Sequence, residues 1–287
     1  ELLDALAGQL PSGADEEWIE ELLAWLPDDY DPAAFSVDEV NEQLLAAPLP
    51  DLANWHPLIA DLLDRYHGGP LSPLGRLIKD ATTGATDLSD AQAQGAVRRY
   101  QHLLRTIGDG VKLTAAGYLP PRIVHALYLE LGLHQRWIGA GNREDQTLPV
   151  LDLRETATAL GLLRKHNGRL SLTRFATQHL DDPRALLAHI GSRLPLGRPY
   201  ERDAGLVALL QAAVGQPLVD LDQYAGGILL DVGWRVDGAT IEQAARQWTW
   251  PTMSVFEILT ADTTDPGLRA TIARSLLHRG GPAPKHG

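Results

Sequence analysis

The chain has 287 residues, 44% of them hydrophobic and 22% charged, and it contains no cysteine. This composition is typical of a globular protein and excludes a collagen, a disordered tail, a disulfide scaffold and any site built on thiolates. The length favours two domains or one domain with an appendage, and no apolar run reaches the roughly 20 residues of a membrane-spanning helix. No secretory signal is visible, so we expect a cytoplasmic protein, and because the chain begins at Glu1 rather than methionine we expect a piece of a longer one.

The net charge of -12 is unevenly distributed along the chain. Residues 1–64 contain sixteen acidic residues and no lysine or arginine. The remaining 21 acidic and 25 basic residues lie in 65–287, which gives that part a net charge of +4. An acidic arm on a mildly basic body favours polyanions as partners of the body, whereas the simpler alternative is a solvated helical surface.

The first predicted elements in chain order are helices of the acidic arm. Apolar residues recur at helical spacing over 18–26, and a capping box opens a second helix over 37–46. A third helix is predicted over about 57–66, ending at the glycines and proline of 68–70. We therefore predict an acidic helical arm over 1–70.

The next segment combines a helix with a short strand. A helix over about 87–107 carries an apolar stripe and ends at Gly108. After it, Val111 and Leu113 alternate with Lys112, which is the pattern of a half-buried strand.

A second copy of this pattern follows at an offset of 59 residues. Leu-Leu-Arg followed seven residues later by Leu-Thr occurs in 103–114 and again in 162–173. The helix of the second copy is predicted over 152–165, and an alternating strand comes after it. Helices followed by short ribbons indicate two tandem winged-helix-like modules; the alternative is a plain helical bundle in which these pieces are connecting loops.

The rest of the chain is predicted to be a helical layer. Its helices are expected at 202–214, 218–232, 239–248, 252–259 and 267–277. Trp234, Trp248 and Trp250 are expected to fill its core. The predicted fold is thus mainly α, with an acidic helical arm at 1–70, a first winged-helix-like module at 71–121, a second at 122–198 and a helical C-terminal domain at 199–287.

Three segments carry a family resemblance: 111–121 (VKLTAAGYLPP), 142–144 (NRE) and 160–173 (LGLLRKHNGRLSLT). They resemble the plasmid Orf-three-like family of actinobacteria, also labelled insertion-element passenger or TnpR-like proteins. The resemblance covers about 85–200 and looks like the region downstream of that family's name-giving domain. It implies an association with mobile elements and defines no biochemical role, and no residue matches a recombinase nucleophile motif. The third segment is also similar to the wings of bacterial winged-helix regulators.

No pattern in the sequence indicates catalysis or metal binding. The ten histidines include no pair three or four residues apart on a predicted helix, and the H-E-x-x-H and G-x-S-x-G motifs are absent. Asp182 before Pro183 is interpreted as a helix N-cap rather than as a catalytic acid. Enzyme is therefore the least supported class, and we predict no catalytic residue, no cofactor and no metal site.

Basic side chains in the middle of the chain indicate a non-enzymatic DNA-binding or regulatory accessory protein. Arg98, His102 and Arg105 fall on one face of the first predicted helix. Double-stranded DNA is the expected partner, held mainly through its phosphates and with weak sequence preference. The predicted contacts are Arg98, Arg99, His102 and Arg105 on the first helix, Arg154, Arg164 and Lys165 on the second, and Lys112 and Arg169 on the ribbons.

Other interpretations remain open. Arginine outnumbers lysine by twenty-one to four, a compositional bias that reduces the weight of each arginine. A protein-interaction scaffold would bind a protein partner through the winged-helix modules and the acidic arm, 1–64, without nucleic acid. In a third hypothesis the acidic arm covers the basic middle of the chain and competes with DNA.

Overall fold

Helices dominate the computed structural model, which describes residues 51–66, 72–135, 137–216, 221–236, 238 and 240–279. Contacts between residues divide the chain into two units, 1–48 and 49–287. The helices predicted over 18–26 and 37–46 lie outside the described residues, as does most of the acidic arm. Every element below belongs to the second unit.

The described elements confirm a mainly helical fold. In chain order they are α1 (Pro57–Arg65), α2 (Pro73–Thr82), α3 (Asp90–Ile107), β1 (Val111–Lys112), α4 (Pro121–Glu130), α5 (Leu148–Ala159), β2 (Leu163–His166), β3 (Arg169–Leu172), α6 (Arg174–His179), α7 (Pro183–Arg193), α8 (Pro199–Ala213), α9 (Leu221–Asp231), α10 (Ile241–Thr260) and α11 (Pro266–Leu277). Two single turns of 3-10 helix, Leu133–Gln135 and Glu144–Gln146, lie between α4 and α5. No helix of the described ranges is long and apolar enough to cross a bilayer.

Capping side chains fix the starts of two helices near the predicted positions. At α3, the Ser89 hydroxyl accepts from the Gln92 N–H (3.2 Å) and the Gln92 side chain accepts from the Ser89 N–H (2.8 Å). At α7, Asp182 accepts from the Ala185 N–H (3.0 Å), and proline stands at the first helical position. The prediction of an N-cap at Asp182 is confirmed.

The helix predicted over 152–165 is shifted in the structure. It begins at Leu148 and ends at Ala159, and Gly161 adopts a positive φ of 71° beyond its end. Asn167 (φ 48°) and Gly168 (φ 69°) form the two-residue turn of a β-hairpin, which needs a positive φ at both positions. The prediction of a helix through 160–165 is therefore wrong, because the Asn-Gly pair marks a hairpin and not the end of a helix.

The helices predicted at 239–248 and 252–259 are one continuous helix, α10, which passes through Pro251. An interior proline removes a helical hydrogen bond at a cost of about 3 kcal/mol. Here α10 packs along α8 and α9 and buries Val255 and Phe256, and this packing offsets the cost.

The two strand-forming segments pair with each other in one antiparallel sheet of order β1-β3-β2. Val111 lies opposite Leu170, and Lys112 lies opposite Arg169. This pairing corrects the prediction that each segment forms a ribbon of its own, one in 71–121 and one in 122–198. The 59-residue repeat is likewise not structural, because its first half starts inside α3 and its second half starts at the edge of β2.

One hydrophobic core runs through the described part of the chain. The inner face of the sheet contributes Val111, Leu163 and Leu170, all buried. Helix α3 lies at the centre and contacts α4, α5, α7, α10 and β3. The helix that the sequence assigned to DNA contact is thus the central helix of the fold.

Among the predicted core tryptophans, Trp234 and Trp248 are partly buried against the core, in agreement with the prediction. The Trp234 indole N–H donates to Asp203 (2.7 Å), and Asp203 also accepts two hydrogen bonds from Arg65 (2.7 and 2.8 Å). Trp250 is 52% exposed, so its assignment to the core is wrong.

Candidate nucleic-acid interface

The nine side chains predicted to contact nucleic acid fall into two groups by the charges around them. Five lie within 4.0 Å of a carboxylate: Arg98, Arg99, His102, Arg105 and Arg154. The other four have no such partner in the described ranges: Lys112, Arg164, Lys165 and Arg169.

Asp262, which follows α10, binds both Arg98 and Arg99. Arg99 is only 8% exposed and donates to Asp262 through Nη2 (2.7 Å) and Nε (3.3 Å), while Arg98 Nη2 lies 2.8 Å from the same carboxylate. Burial by itself raises the pKa of Asp262, but the hydrogen bonds and charges of Arg99 and Arg98 outweigh it, so the pKa lies below its ordinary value. The two arginines thus anchor α10 to α3, and their charge is compensated inside the protein.

His102 and Arg105 lie on the solvent side of α3, and each faces an acidic residue. Arg105 Nη2 is 2.7 Å from Asp181 Oδ1, and His102 Nδ1 is 3.6 Å from Glu130 Oε2. Pairs this exposed contribute about 0–1 kcal/mol to stability. The row of free cations expected on α3 is therefore largely neutralised by neighbouring carboxylates.

Arg154 is held in the interior by Glu144. The Glu144 residue is 1% exposed, and its carboxylate accepts from Arg154 Nε and from the Leu119 N–H (2.6 Å). The ion pair joins α5 to the 3-10 turn Glu144–Gln146, and the hydrogen bond from Leu119 joins the same carboxylate to the loop that precedes α4. Arg154 is a structural residue in this arrangement and does not reach the surface as a free cation.

The remaining cations lie mainly on the outer face of the sheet. We define the cationic face as Lys112, Arg164, His166 and Arg169, all of which are exposed. Arg169 lies opposite Lys112 on one side and opposite His166 on the other. Arg164 is two residues before His166 on β2, so it points to the same face.

The backbone of the turn between α3 and β1 orients the Arg169 side chain. Its Nη2 donates to the carbonyl oxygen of Gly110 (2.8 Å) and to that of Asp109 (3.4 Å). Carbonyl oxygens orient a guanidinium without cancelling its charge, and most of its five N–H donors remain available. Arg169 is therefore an oriented cation at the start of β3, the central strand of the sheet.

The structure corrects the predicted positions of two residues of β2. Arg164 and Lys165 lie on a strand rather than on the second predicted helix, and Lys165 points to the opposite face, in register with Leu170. Sequence reasoning missed His166 as a member of the cationic face. The Asn167-Gly168 turn was the signal that could have found it, because a two-residue hairpin loop places the residue before the turn opposite the residue after it.

The described residues contain no group of three or more histidine, aspartate or glutamate side chains that could hold a metal ion. Comparison of the chain with protein-family models, with curated proteins and with solved structures finds no match in any of the three. The resemblance of 111–121, 142–144 and 160–173 to the plasmid family therefore remains a prediction that depends on those residues alone.

Proposed function

We propose that residues 90–172 form a single winged-helix module that binds the phosphate backbone of double-stranded DNA through the cationic face, which extends over β1 and over the β2–β3 hairpin, the wing of the module. The supporting observation on the fold is the order helix, strand, helix, helix, strand, strand, with the sheet order β1-β3-β2. A winged helix has this order and this sheet. One module thus replaces the two tandem modules of the sequence prediction.

The cationic face is the observation that carries the proposal. Lys112, Arg164 and Arg169 are exposed on one side of a small sheet, and none has a carboxylate partner among the described residues. Adjacent strands lie about 4.8 Å apart, so the three cations form one patch. Duplex DNA carries a layer of condensed cations, and protein cations without internal partners release these ions when they neutralise phosphates, which favours binding.

Helix α5 occupies the position of the recognition helix in this module, yet it supports no reading of bases. Its exposed and partly exposed side chains include Glu155 and Asp152, and its arginine, Arg154, is bound to buried Glu144. Part of the helix also packs against α10. Carboxylates repel phosphates, so the duplex contacts the cationic face rather than α5. Because this contact is with phosphates, sequence preference is weak.

The proposed role is that of a non-enzymatic DNA-binding or regulatory accessory protein, in the mobile-element setting that the family resemblance implies. Phosphate contacts position a protein on a duplex without carrying sequence information. An accessory or architectural role fits such contacts better than the recognition of one operator sequence.

Fluorescence anisotropy with a labelled duplex of about 20 base pairs at about 50 mM salt tests the proposal. The test variant is Lys112→Gln/Arg164→Gln. The matched control is Lys79→Gln/Arg105→Gln, which also removes one lysine and one arginine: Lys79 lies on α2 and Arg105 is paired with Asp181. Both doubles lower the net charge equally.

We expect the test variant to weaken binding by about tenfold or more and the control to change it by about twofold or less. Equal weakening by both variants would mean that overall charge, and not the wing, drives binding. If wild-type protein does not change the anisotropy of the labelled duplex, the proposal of DNA binding is wrong.

A further inference from the structure

A cleft of about 190 Å³ opens between α5 and α10. Its apolar wall consists of Pro149 and Leu153 from α5 and of Trp250 and Ile258 from α10. Sites that enclose small molecules usually measure about 300–1,000 Å³, so this cleft fits one long side chain better than a metabolite. None of its lining residues belongs to the sheet.

The cleft contains two carboxylates, Asp152 from α5 and Glu257 from α10, and its other polar lining residues are Arg99 and Ser254. Neither carboxylate makes a hydrogen bond or an ion pair within the described ranges. Burial raises the pKa of Asp152, and the charge of Glu155 adds to the effect. Glu257 is exposed as a residue, yet partial desolvation of its carboxyl group raises its pKa, against the opposing charge of Arg269 and together with the charge of Asp152. Two partly desolvated carboxylates that repel each other are stabilised when a cation enters between them.

The cation already in the cleft does not meet this need. Arg99 lines one end, but its guanidinium is bound by Asp262 through two hydrogen bonds. Asp262 therefore pairs with Arg99, and neither Asp152 nor Glu257 forms an ion pair with this arginine.

Trp250 adds a second element of cation recognition. Its side chain is 52% exposed, whereas Trp248 two residues earlier is partly buried among Tyr200 and Trp234. An indole attracts an ammonium or guanidinium group through cation–π interaction, by about 0.5–1 kcal/mol at exposed sites and more where water is excluded. The aliphatic stem of a lysine or arginine packs well on apolar surface while its head stays polar.

We propose that this cleft is a docking site for a partner protein that inserts an arginine or lysine side chain flanked by an apolar residue. The stem lies along Pro149 and Leu153, and the cationic head lies between Asp152 and Glu257 next to Trp250. Charge complementarity selects this occupant, because the cleft is largely apolar and its two carboxylates form no ion pair within the described ranges. The site gives the protein a protein-binding surface in addition to its proposed DNA contact, and neither depends on the other.

Titration with a dipeptide, acetyl-leucyl-arginine amide, tests the site by following the indole N–H signal of Trp250 in a ¹⁵N–¹H NMR spectrum. Trp250→Phe assigns that signal among the seven tryptophans. The uncharged analogue acetyl-leucyl-citrulline amide has almost the same shape and isolates the charge. Asp152→Asn and Glu257→Gln remove the carboxylates one at a time, and Asp80→Asn, an exposed acid on α2, is the matched control.

We expect the arginine peptide to shift the Trp250 signal saturably and to bind about fivefold or more tightly than the citrulline peptide. Each cleft variant should remove most of that difference, and Asp80→Asn should keep it. Equal binding of the two peptides, or no saturable shift up to about 10 mM peptide, overturns the proposal on wild-type protein alone. The double variant Lys112→Gln/Arg164→Gln should bind the arginine peptide normally, so a failure of DNA binding and a failure of this site are told apart.

Discussion

Lys112 on β1 lies directly opposite Arg169 on β3. Like charges at opposite positions of an antiparallel sheet destabilise it, and neither side chain has a carboxylate partner among the described residues. A neutral or acidic residue at either position would give a more stable sheet. An anion bound at the outer face would remove the repulsion, which is the arrangement expected of a phosphate-binding wing.

The first prediction concerns the stability cost of this pair. Lys112→Thr removes the repulsion and adds a good strand former, so it should raise the free energy of unfolding by about 0.5 kcal/mol at low salt. Urea denaturation at low salt and at about 1 M NaCl measures this gain, and salt should shrink it by screening the charges. The same variant should bind DNA more weakly than wild type. A loss of stability at both salt concentrations would show that Lys112 has a structural role.

The second prediction concerns the buried ion pair of Glu144 and Arg154. Glu144→Gln removes the buried counter-ion of Arg154, which keeps only the exposed Glu155 carboxylate at 3.6 Å. The Glu144 and Arg154 side chains are 0% and 13% exposed. The free energy of unfolding should fall by about 3 kcal/mol. Its neighbour Asp145 forms an exposed pair with Arg143, so Asp145→Asn should cost about 1 kcal/mol or less. Chemical denaturation gives the free energy of unfolding of both variants. Equal losses in Glu144→Gln and Asp145→Asn would mean that burial does not determine how much an ion pair contributes to stability.

Local sequence predicted many helix boundaries because their causes are local. The Ser89–Gln92 capping box and the Asp182 cap with its following proline each lie within four residues of the helix they start. The alternation of Val111 and Lys112 also predicted which side of a strand is buried. The Asn167-Gly168 turn is just as local, and its hairpin was missed only because a leucine-rich run before it was interpreted as a helix.

Partners distant in sequence could not be predicted. Arg99 and Asp262 are 163 residues apart, and Arg105 and Asp181 are 76 apart. Whether a basic side chain is free or paired depends on such partners. The spacing of residues along the sequence therefore predicts nine candidate cations but does not separate those paired with a carboxylate from those that are not. The pairing of β1 with β3 is equally remote, which is why one sheet was predicted as two ribbons.

The third prediction tests the turn of the β2–β3 hairpin. Gly168 has a φ of 69° and an added Cβ would contact nothing within 4 Å, so Gly168→Ala should cost about 1–2 kcal/mol from backbone conformation alone. Gly95 within α3 also has open space around it but no positive φ, and Gly95→Ala should stabilise the protein by about 1 kcal/mol. Thermal denaturation of the two variants should therefore shift the midpoint in opposite directions. An unchanged or raised midpoint for Gly168→Ala would contradict a turn that needs glycine at this position.

The fourth prediction is a loss of stability in mild acid caused by His56. Its Nδ1 accepts from the Leu58 N–H (3.2 Å) at the start of α1, and burial together with the charges of Arg279 and Arg202 lowers its pKa to about 4. Between pH 6.5 and about 4 the unfolded chain takes up a proton that the folded protein does not. The contribution of His56 to the free energy of unfolding is complete above pH 6.5. As the pH decreases below this value, the contribution falls by at most about 1.4 kcal/mol per pH unit.

His56→Asn is the matched control for the acid effect. Asparagine also caps helices but does not titrate, so the variant should fold and should lose this part of the pH dependence. Denaturant midpoints measured from pH 7.5 to 4.5 give the comparison. Parallel pH profiles for wild type and His56→Asn would show that His56 is not the group responsible.

The salt dependence of DNA binding measures most directly whether the cationic face contacts phosphates. Each phosphate contact contributes about 0.9 to the slope of log K against log salt concentration, so three cations should give a slope of about -3. In Lys112→Gln/Arg164→Gln the slope should fall to about -1, while Lys79→Gln/Arg105→Gln should keep about -3. A flat wild-type slope, or an unchanged slope in the first double variant, would contradict phosphate binding by the cationic face.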